Sequence, residues 1–251
     1  MRKVHVVNTL LDNLTYVVEY ERRAVVVDPS EAGPVLRVLE ALHLELAGIL
    51  NTHEHFDHVA GNDELVKRTG CVLLDGRHRV DVADGSGDSM VSAIGLEFRV
   101  LKTPGHSEDS VSLYLPPLAA SVGAVFTGDT LFVGGCGRLF TRSPEMMWRS
   151  LSRLMALPAD TEVYCGHDYS LENLEFAREL EPGNTEVRER LESIRRLVEA
   201  GVPTVPSTIA MEMSTNPFLR VAEPSLRRAL GMEAAADVEV LAHVRRRKDH
   251  F

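Results

Sequence analysis

The chain has 251 residues, of which 44% are hydrophobic and 25% are charged, and its formal net charge at pH 7 is −10. This composition is typical of a globular protein and excludes a disordered or fibrous chain, and the length allows one large domain or one domain with a smaller one. The acidic balance argues against a general nucleic-acid-binding surface, which would need a basic face.

The lengths of the apolar runs and the number of cysteines indicate the cellular compartment of the protein. The longest apolar runs are too short to span a membrane, and residues 3–7 form a strand-like segment with no signal-peptide core before it. The chain has three cysteines, Cys71, Cys136 and Cys165. An odd number at wide spacings fits neither a disulfide framework nor a cysteine zinc site. We therefore expect a cytoplasmic protein with reduced thiols and no membrane contact.

Hydrophobic periodicity predicts an α+β protein that changes character near residue 170. Predicted strands are 3–7, 15–19, 24–28, 46–50, 71–74, 97–102, 124–127 and 162–165; predicted helices are 32–42, about 57–69, 171–180, 185–200, 225–230 and 237 to about 248. The Gly- and Asp-rich stretch 75–89 is predicted to be a loop. We expect a catalytic domain at 1–169 and a helical domain at 170–251.

The segment 52–58 (THEHFDH) concentrates three imidazoles and a carboxylate directly after a predicted strand. Burying so many titratable groups together is costly unless a cation holds them. In an extended segment His53 and His55 project to the same side and could bind one ion, whereas Asp57 and His58 follow at a turn and could face a second ion. Glu54 points away and is expected to be a packing or hydrogen-bonding partner.

Three further predicted strands end at a glycine that is followed at once by a metal-capable side chain. These side chains are His106, Asp129 and His167. Each signal is weak alone, but glycine allows sharp turns and close backbone approach at strand ends, where sites are commonly built. Together with segment 52–58 they predict one metal centre.

Other candidates have simpler interpretations. Five histidines have no partners in the pattern and are expected to be structural or exposed: His5, His43, His78, His243 and His250. Cys136 and Cys165 are expected to be small buried thiols. The basic run 245–248 could be a solvated helix end, where cations suit the helix dipole.

Segment 53–58 (HEHFDH) resembles the H-x-H-x-D-H signature of the metallo-β-lactamase superfamily, and His106, Asp129 and His167 follow in the order of that superfamily. The resemblance implies an αββα sandwich with metals at one edge. It does not choose among hydrolases, dioxygenases, nucleases and redox enzymes, which share the signature.

Further segments resemble glyoxalase II, the hydroxyacylglutathione hydrolase family. They are 126–132 (FTGDTLF), 135–138 (GCGR), 163–169 (VYCGHDY), 173–177 (NLEFA), 181–184 (EPGN), 203–208 (PTVPST), 216–218 (NPF) and 245–249 (RRRKD). This resemblance implies hydrolysis of S-(2-hydroxyacyl)glutathione, such as S-D-lactoylglutathione, to glutathione and a 2-hydroxy acid. We expect the chain to act as a monomer.

The resemblance implies two divalent ions, zinc above all, with iron or manganese as alternatives. One ion would take His53, His55 and His106, the other would take Asp57, His58 and His167, and Asp129 would bridge them. The nucleophile would be a hydroxide held between the ions, which Asp57 and Asp129 help to place.

The same resemblance implies a substrate site made of Arg138, Tyr169, Arg245 and Lys248, with the last two holding the glycine carboxylate of glutathione. Many family members have Lys at the position of Arg138, and some have Tyr at the position of Phe140. These differences concern substrate affinity and acyl preference rather than metal binding.

Other functions remain open at the level of sequence. The alternatives are a persulfide dioxygenase with a single iron, a hydrolase of other thioesters, and a non-catalytic binding protein on the same fold. The long helical region and the terminal basic run favour the hydrolase over the dioxygenase. A β-lactamase is disfavoured because no export signal is recognised.

Overall fold

The computed structural model describes residues 1–74, 79–81 and 87–251. In chain order the strands are β1 (Lys3–Thr9), β2 (Asn13–Tyr20), β3 (Arg23–Val27), β4 (Glu45–Leu50), β5 (Val72–Leu73), β6 (Arg79–Asp81), β7 (Ser89–Ala93), β8 (Leu96–Lys102), β9 (Val111–Leu115), β10 (Ala124–Gly128), β11 (Leu131–Phe132), β12 (Gly135–Cys136), β13 (Glu162–Cys165) and β14 (Ser207–Thr208). The helices are α1 (Ala32–Leu42), α2 (Phe56–Val59), α3 (Asn62–Thr69), α4 (Pro144–Met155), α5 (Ser170–Leu180), α6 (Thr185–Glu199), α7 (Ile209–Thr215), α8 (Pro224–Leu230) and α9 (Asp237–Lys248).

Two mixed sheets face each other. The first has the order β1-β2-β3-β4-β5, and the second has the order β14-β13-β10-β9-β8-β7-β6; β11 and β12 form a separate hairpin. In the first sheet β3, β4 and β5 are parallel, and in the second sheet β10 is parallel to β13. The parallel strands therefore end at the same side of each sheet, where they can present loop residues together.

Strand alternation places the core in layers, because successive side chains point to opposite faces. Tyr16 on β2 packs between the sheets with Phe98 and Phe126 of the second sheet. Val17, the next residue of β2, packs on the outer face against Val35 of α1. The outer face of the second sheet is covered by residues of α4, α5, α7 and α9. The result is the predicted αββα sandwich with a C-terminal helical region.

Some predicted elements differ from the structure. The prediction of a single helix over 57–69 is wrong, because the chain forms two helices there, α2 and α3, with Gly61 between them. Gly61 donates its N–H to the carbonyl of Pro29 at 2.8 Å, and a Cβ there would lie 2.7 Å from that oxygen. The predicted loop 75–89 is wrong at residues 79–81 and at Ser89, which lie in strands. Residues 75–78 and 82–86 of that prediction lie outside the described residues.

Besides β6, seven of the described elements were not predicted: β7, β9, β11, β12, β14, α4 and α7. No helix in the described part of the chain is long and apolar enough to cross a membrane. The domain boundary near residue 170 stays a prediction.

The two sheets are joined directly by main-chain hydrogen bonds at the edge where β10 and β13 end. Leu14 on β2 donates to the carbonyl of Gly166 at 2.8 Å, and Gly166 donates to the carbonyl of Gly128 at 2.8 Å. The Tyr16 hydroxyl also donates to the carbonyl of Cys165. These bonds hold the ends of β2, β10 and β13 in one arrangement.

The helical region holds the β11–β12 hairpin through a buried ion pair. Glu212 on α7 is fully buried, pairs with Arg190 of α6, and accepts a hydrogen bond from Ser207. Its second oxygen accepts from the N–H of Gly134 in the hairpin at 2.9 Å and from Asn216 at 3.0 Å. A buried charge with several partners is costly to disrupt.

We predict that Glu212→Gln lowers the free energy of unfolding by about 3–5 kcal/mol, because Arg190 is left buried without its counter-ion. Urea unfolding monitored by circular dichroism measures this. Glu189→Gln, at an exposed position of α6, is the matched control and should change the free energy by less than about 0.5 kcal/mol. A loss below about 1 kcal/mol for Glu212→Gln would contradict the prediction.

Candidate metal centre and substrate cavity

The seven side chains predicted as metal ligands converge at one edge of the sandwich. His53 and His55 follow β4, Asp57 and His58 lie in α2, and the remaining three follow β8, β10 and β13: His106, Asp129 and His167. Four histidines are almost fully buried: His53, His58, His106 and His167. Their role as ligands stays a prediction, but the structure brings all seven together.

Their donor atoms form three overlapping groups in which all donor atoms lie within 4.8 Å of one another. The groups are His53, His55 and His106; Asp57, His58 and His167; and His53, His58 and Asp129. In the first group, Nδ1 of His55 lies 3.1 Å from Nε2 of His53 and 3.0 Å from Nε2 of His106. The first two groups match the two predicted ligand sets.

Asp129 lies between the two sets. Its carboxylate oxygens are 3.4 Å from Nε2 of His106 in the first set, and 3.4 Å from Nε2 of both His58 and His167 in the second. A carboxylate in this position can contact ions of both sets, and we therefore keep the bridging role as a proposal.

The cluster has unsatisfied donor atoms that a cation would satisfy. Nε2 of His58 and Oδ1 of Asp129 are buried and have no hydrogen-bond partner in the described part of the chain. Burial opposes ionisation of Asp129, but the close imidazoles of His167 and His58, each with Nε2 3.4 Å from a carboxylate oxygen, outweigh it and hold the pKa of the carboxyl well below its usual value. An ionised buried carboxylate beside free imidazole nitrogens fits divalent metal ions.

Two histidines of the cluster have opposite protonation tendencies. Burial, and then the neighbouring His58, lowers the pKa of His53 to about 4. Burial also disfavours the charged form of His58, but Asp28 and Asp129 raise its pKa to about 10. His53 therefore keeps a lone pair over the whole neutral range, whereas a cation that binds His58 displaces a proton.

Each buried histidine is oriented by a hydrogen bond from its other ring nitrogen. The Nδ1 atoms donate to Thr52 Oγ1 at 3.0 Å for His53, Asp28 at 3.1 Å for His58, the Arg138 carbonyl at 3.0 Å for His106, and Asp12 at 2.9 Å for His167. Such partners fix the tautomer and leave Nε2 free toward the cluster. Asn13 similarly donates to the Asp57 carboxylate at 3.0 Å.

Asp28 supports both ligand sets. It is buried at the end of β3 with φ of +51°, and its carboxylate accepts the Nδ1–H of His58. It also accepts the N–H and the hydroxyl of Thr52, both at 2.7 Å, and Thr52 in turn orients His53. Sequence reasoning missed this role, although an aspartate between a strand and a proline was visible at 27–29. It also missed Asp12 and Asn13.

Two glycines let the strand ends approach the cluster. A Cβ on Gly166 would lie 2.4 Å from Oδ1 of Asp129 and 2.6 Å from His58. A Cβ on Gly128 would lie 2.2 Å from the Thr52 hydroxyl, and the φ of Gly128 is +47°. The structure agrees with the expectation that glycine is needed for close approach at these positions.

A cavity of about 610 Å³ connects the cluster to the helical region. The predicted ligands that line it are His55, Asp57, His106, Asp129 and His167. All four predicted substrate-binding residues line the same cavity: Arg138, Tyr169, Arg245 and Lys248. A volume of this size fits a small-molecule ligand.

The basic residues at the helical end have acidic partners. Arg245 is buried, donates to the Cys136 carbonyl at 2.9 Å and pairs with Asp249. Lys248 forms an ion pair with Glu172. An anionic ligand at this end would therefore compete with Glu172 for Lys248, a feature that sequence reasoning missed.

Tyr169 and Phe140 flank the metal cluster with aromatic surface. Tyr169 stacks on His167 with ring centroids 5.1 Å apart, and burial, followed by the charge of Asp12, raises its pKa to about 12. Phe140 packs edge-on against His55 and His106 at 5.5 and 5.1 Å, and 61% of it is exposed. The Tyr169 hydroxyl thus remains protonated at neutral pH and can donate a hydrogen bond.

The cysteines are buried free thiols, as expected. Cys136 borders the cavity, but burial raises its pKa to about 11. The reactive thiolate form is therefore disfavoured at neutral pH.

The other histidines and Glu54 stand apart from the three donor groups. His5 pairs with Glu19 at 2.7 Å, whereas His43, His250 and Glu54 are exposed and His243 is partly exposed. His78 lies outside the described residues.

The αββα sandwich and its edge cluster of histidines and aspartates define a metallo-β-lactamase-fold metalloprotein. Residues 8–81 and 75–167 match the metallo-β-lactamase superfamily, and residues 168–251 match the hydroxyacylglutathione hydrolase C-terminus. A hydroxyacylglutathione hydrolase of Methylococcus capsulatus is 48% identical over 90% of this chain and 88% of its own length. One of Gloeobacter violaceus is 44% identical over 99% of both chains. The chain therefore belongs to the hydroxyacylglutathione hydrolase family.

A solved structure with a similar fold is more distant in sequence. The crystal structure of ETHE1 from Myxococcus xanthus superimposes with a TM-score of 0.63 at 26% identity, covering 98% of this chain and 90% of that one. The hydroxyacylglutathione hydrolases are more similar to this chain than ETHE1 is, and the C-terminal residues match their family.

We predict that Asp28→Asn weakens metal binding by both ligand sets, by about 10- to 100-fold, because one carboxylate orients His58 directly and His53 through Thr52. Asp12→Asn is the matched control and should weaken only the set that contains His167. Metal content per chain, measured by mass spectrometry after dialysis against graded chelator, distinguishes the two. Loss of a single ion in Asp28→Asn would contradict the shared role.

Proposed function

We propose that this chain hydrolyses S-(2-hydroxyacyl)glutathione thioesters, with S-D-lactoylglutathione as the preferred substrate, and releases glutathione and a 2-hydroxy acid. The enzyme would act as a cytoplasmic monomer in methylglyoxal detoxification. One observation carries the proposal: a single cavity joins the predicted metal cluster to Arg138, Tyr169, Arg245 and Lys248.

The cluster is proposed to hold two divalent ions, most simply zinc, with iron or manganese as alternatives. His53, His55 and His106 would hold one, Asp57, His58 and His167 would hold the other, and Asp129 would contact both. When bound, such ions supply positive charge that polarises a thioester carbonyl and makes a water molecule nucleophilic at neutral pH.

The aspartates prepare the cluster for two cations. Burial disfavours ionisation of Asp57, but the hydrogen bond from Asn13 and the nearby His58 lower the pKa of its carboxyl. Asp129 is ionised for the reasons given above. Their negative charge offsets the repulsion between neighbouring dications, and the supporting hydrogen bonds keep the imidazoles in fixed positions.

The remaining cavity residues bind and orient the substrate. Arg245 and Lys248 would hold the glycine carboxylate of glutathione, and Arg138 and the Tyr169 hydroxyl would contact the peptide between that end and the sulfur. This places the thioester at the cluster end of the cavity. A local basic site also offsets the repulsion between an acidic protein and an anionic substrate.

We predict rapid hydrolysis of S-D-lactoylglutathione at a rate proportional to bound metal, up to two ions per chain. Loss of thioester absorbance by metal-quantified protein measures this. Asp129→Ala should lose metal and activity together, whereas Asp63→Asn, exposed on α3, should retain both. Oxygen uptake with glutathione persulfide, without thioester hydrolysis, would contradict the proposal in favour of the dioxygenase.

We predict opposite effects for the two partners of the Lys248–Glu172 ion pair. Lys248→Ala should raise KM by about 5- to 30-fold with little effect on kcat, because it binds a part of the substrate remote from the chemistry. Glu172→Gln should lower KM, because the substrate no longer competes for Lys248. Steady-state kinetics measures both, and an unchanged KM in Lys248→Ala would contradict the carboxylate-binding role.

A further inference from the structure

A second cavity, of about 440 Å³, adjoins the first. The two share Arg138, Phe140, Arg245 and Asp249, so they lie on either side of these side chains. Arg142 and Arg246 line only the second cavity. Neither residue has a role in the function proposed above.

The second cavity contains arginines without counter-ions. Of the four arginines that line it, only Arg245 pairs with a carboxylate, that of Asp249. The guanidinium groups of Arg138, Arg142 and Arg246 have no hydrogen-bond or ion-pair partner among the residues that the structure describes. By contrast, Arg247, next to Arg246 on α9, pairs with Glu179.

This concentration of positive charge is unusual for the chain, in which 37 acidic residues outnumber 27 basic ones. The three arginines come from two segments, because Arg138 and Arg142 lie in the connection between β12 and α4, and Arg246 lies near the end of α9. The three side chains are exposed, so solvent screens part of their mutual repulsion, and a bound anion would relieve the rest. Guanidinium groups suit carboxylates in particular, since they can donate two parallel hydrogen bonds.

A glutathione conjugate carries two carboxylates, one at the glycine end and one on the γ-glutamyl residue, with the sulfur between them. In the proposed binding mode Arg245 and Lys248 hold the glycine carboxylate and the thioester lies at the metal cluster. The γ-glutamyl carboxylate then still needs a cationic partner, and the second cavity is the adjoining place that offers one.

We propose that the second cavity binds the α-carboxylate of the γ-glutamyl residue, and that Arg142 and Arg246 determine specificity for it. This inference rests on the proposed function, because it assigns a further part of the same substrate. The two residues act in binding and make no contact with the reacting atoms.

The test compares Arg142→Gln and Arg246→Gln, in metal-loaded protein, on two substrates. One is S-D-lactoylglutathione; the other is the S-D-lactoyl thioester of 4-aminobutyryl-cysteinylglycine, which lacks only the γ-glutamyl carboxylate. Arg178→Gln is the matched control, since Arg178 is exposed on α5 and lines neither cavity. Calorimetric Kd values for glutathione and its decarboxylated analogue are measured alongside KM and kcat.

We expect each cavity variant to raise KM for S-D-lactoylglutathione by about two- to fivefold at unchanged kcat, as suits exposed ion pairs. KM for the analogue should already be raised in the parent protein and should not rise further in the variants. The control variant, Arg178→Gln, should leave KM unchanged for both substrates.

Two results would overturn the inference: an unchanged KM in both variants, or an equal rise for both substrates, which would indicate only long-range charge effects. If the parent protein fails to hydrolyse either thioester, the proposed function fails. The Kd values then decide the subsite separately, because weaker glutathione binding in the variants, without change for the analogue, would support it.

Discussion

The metal cluster depends on the main-chain hydrogen bonds that join the two sheets at Gly166. Leu14 of the first sheet donates to Gly166, which donates to Gly128 of the neighbouring strand. Seven side chains from four segments can converge only if the sheet ends are held at fixed separation, and these bonds lie directly beside the donors. The close approach leaves no room for a Cβ at Gly166 or Gly128. Backbone packing and donor geometry are thus one constraint.

The side chains of the donor cluster have polar and charged partners in the residues that surround the cluster. Asp28 and Asp12 accept hydrogen bonds from His58 and His167, and Asn13 donates a hydrogen bond to Asp57. At the helical end of the cavity the basic side chains also have acidic partners, because Lys248 pairs with Glu172 and Arg245 pairs with Asp249. An anionic ligand could replace these partners. The buried Asp28 suits a permanent cofactor, whereas the exposed Glu172 can be replaced by a ligand that binds and leaves.

The sequence was most informative where chemistry is dense. Segment 52–58 and the glycines before His106, Asp129 and His167 predicted which side chains meet, since few structural arrangements satisfy so many imidazoles. The fold class and the helical C-terminal region are confirmed. The roles of the individual ligands and substrate residues stay predictions.

The sequence was less informative where contacts between residues distant in sequence determine the local structure. β9 is buried on both faces, and its residues 111–115 (VSLYL) are too few, with Ser112 between apolar neighbours, to give more than a weak strand pattern. The break between α2 and α3 depends on the approach of Gly61 to Pro29, and the role of Asp28 depends on Thr52 and His58. Contacts between residues distant in sequence leave little local signal.

The hairpin β11–β12 links the stability of the helical region to the chemistry of the sandwich. Glu212 and Asn216 of that region hold the hairpin, and the chain that leaves it supplies both the side chain of Arg138 and the carbonyl that orients His106. Local unfolding of the helices would therefore release a predicted metal ligand, His106, as well as a predicted substrate contact, Arg138. The two regions should therefore unfold as one cooperative unit. A molecule whose helices have unfolded would not keep the donor cluster intact without the residues that select the substrate.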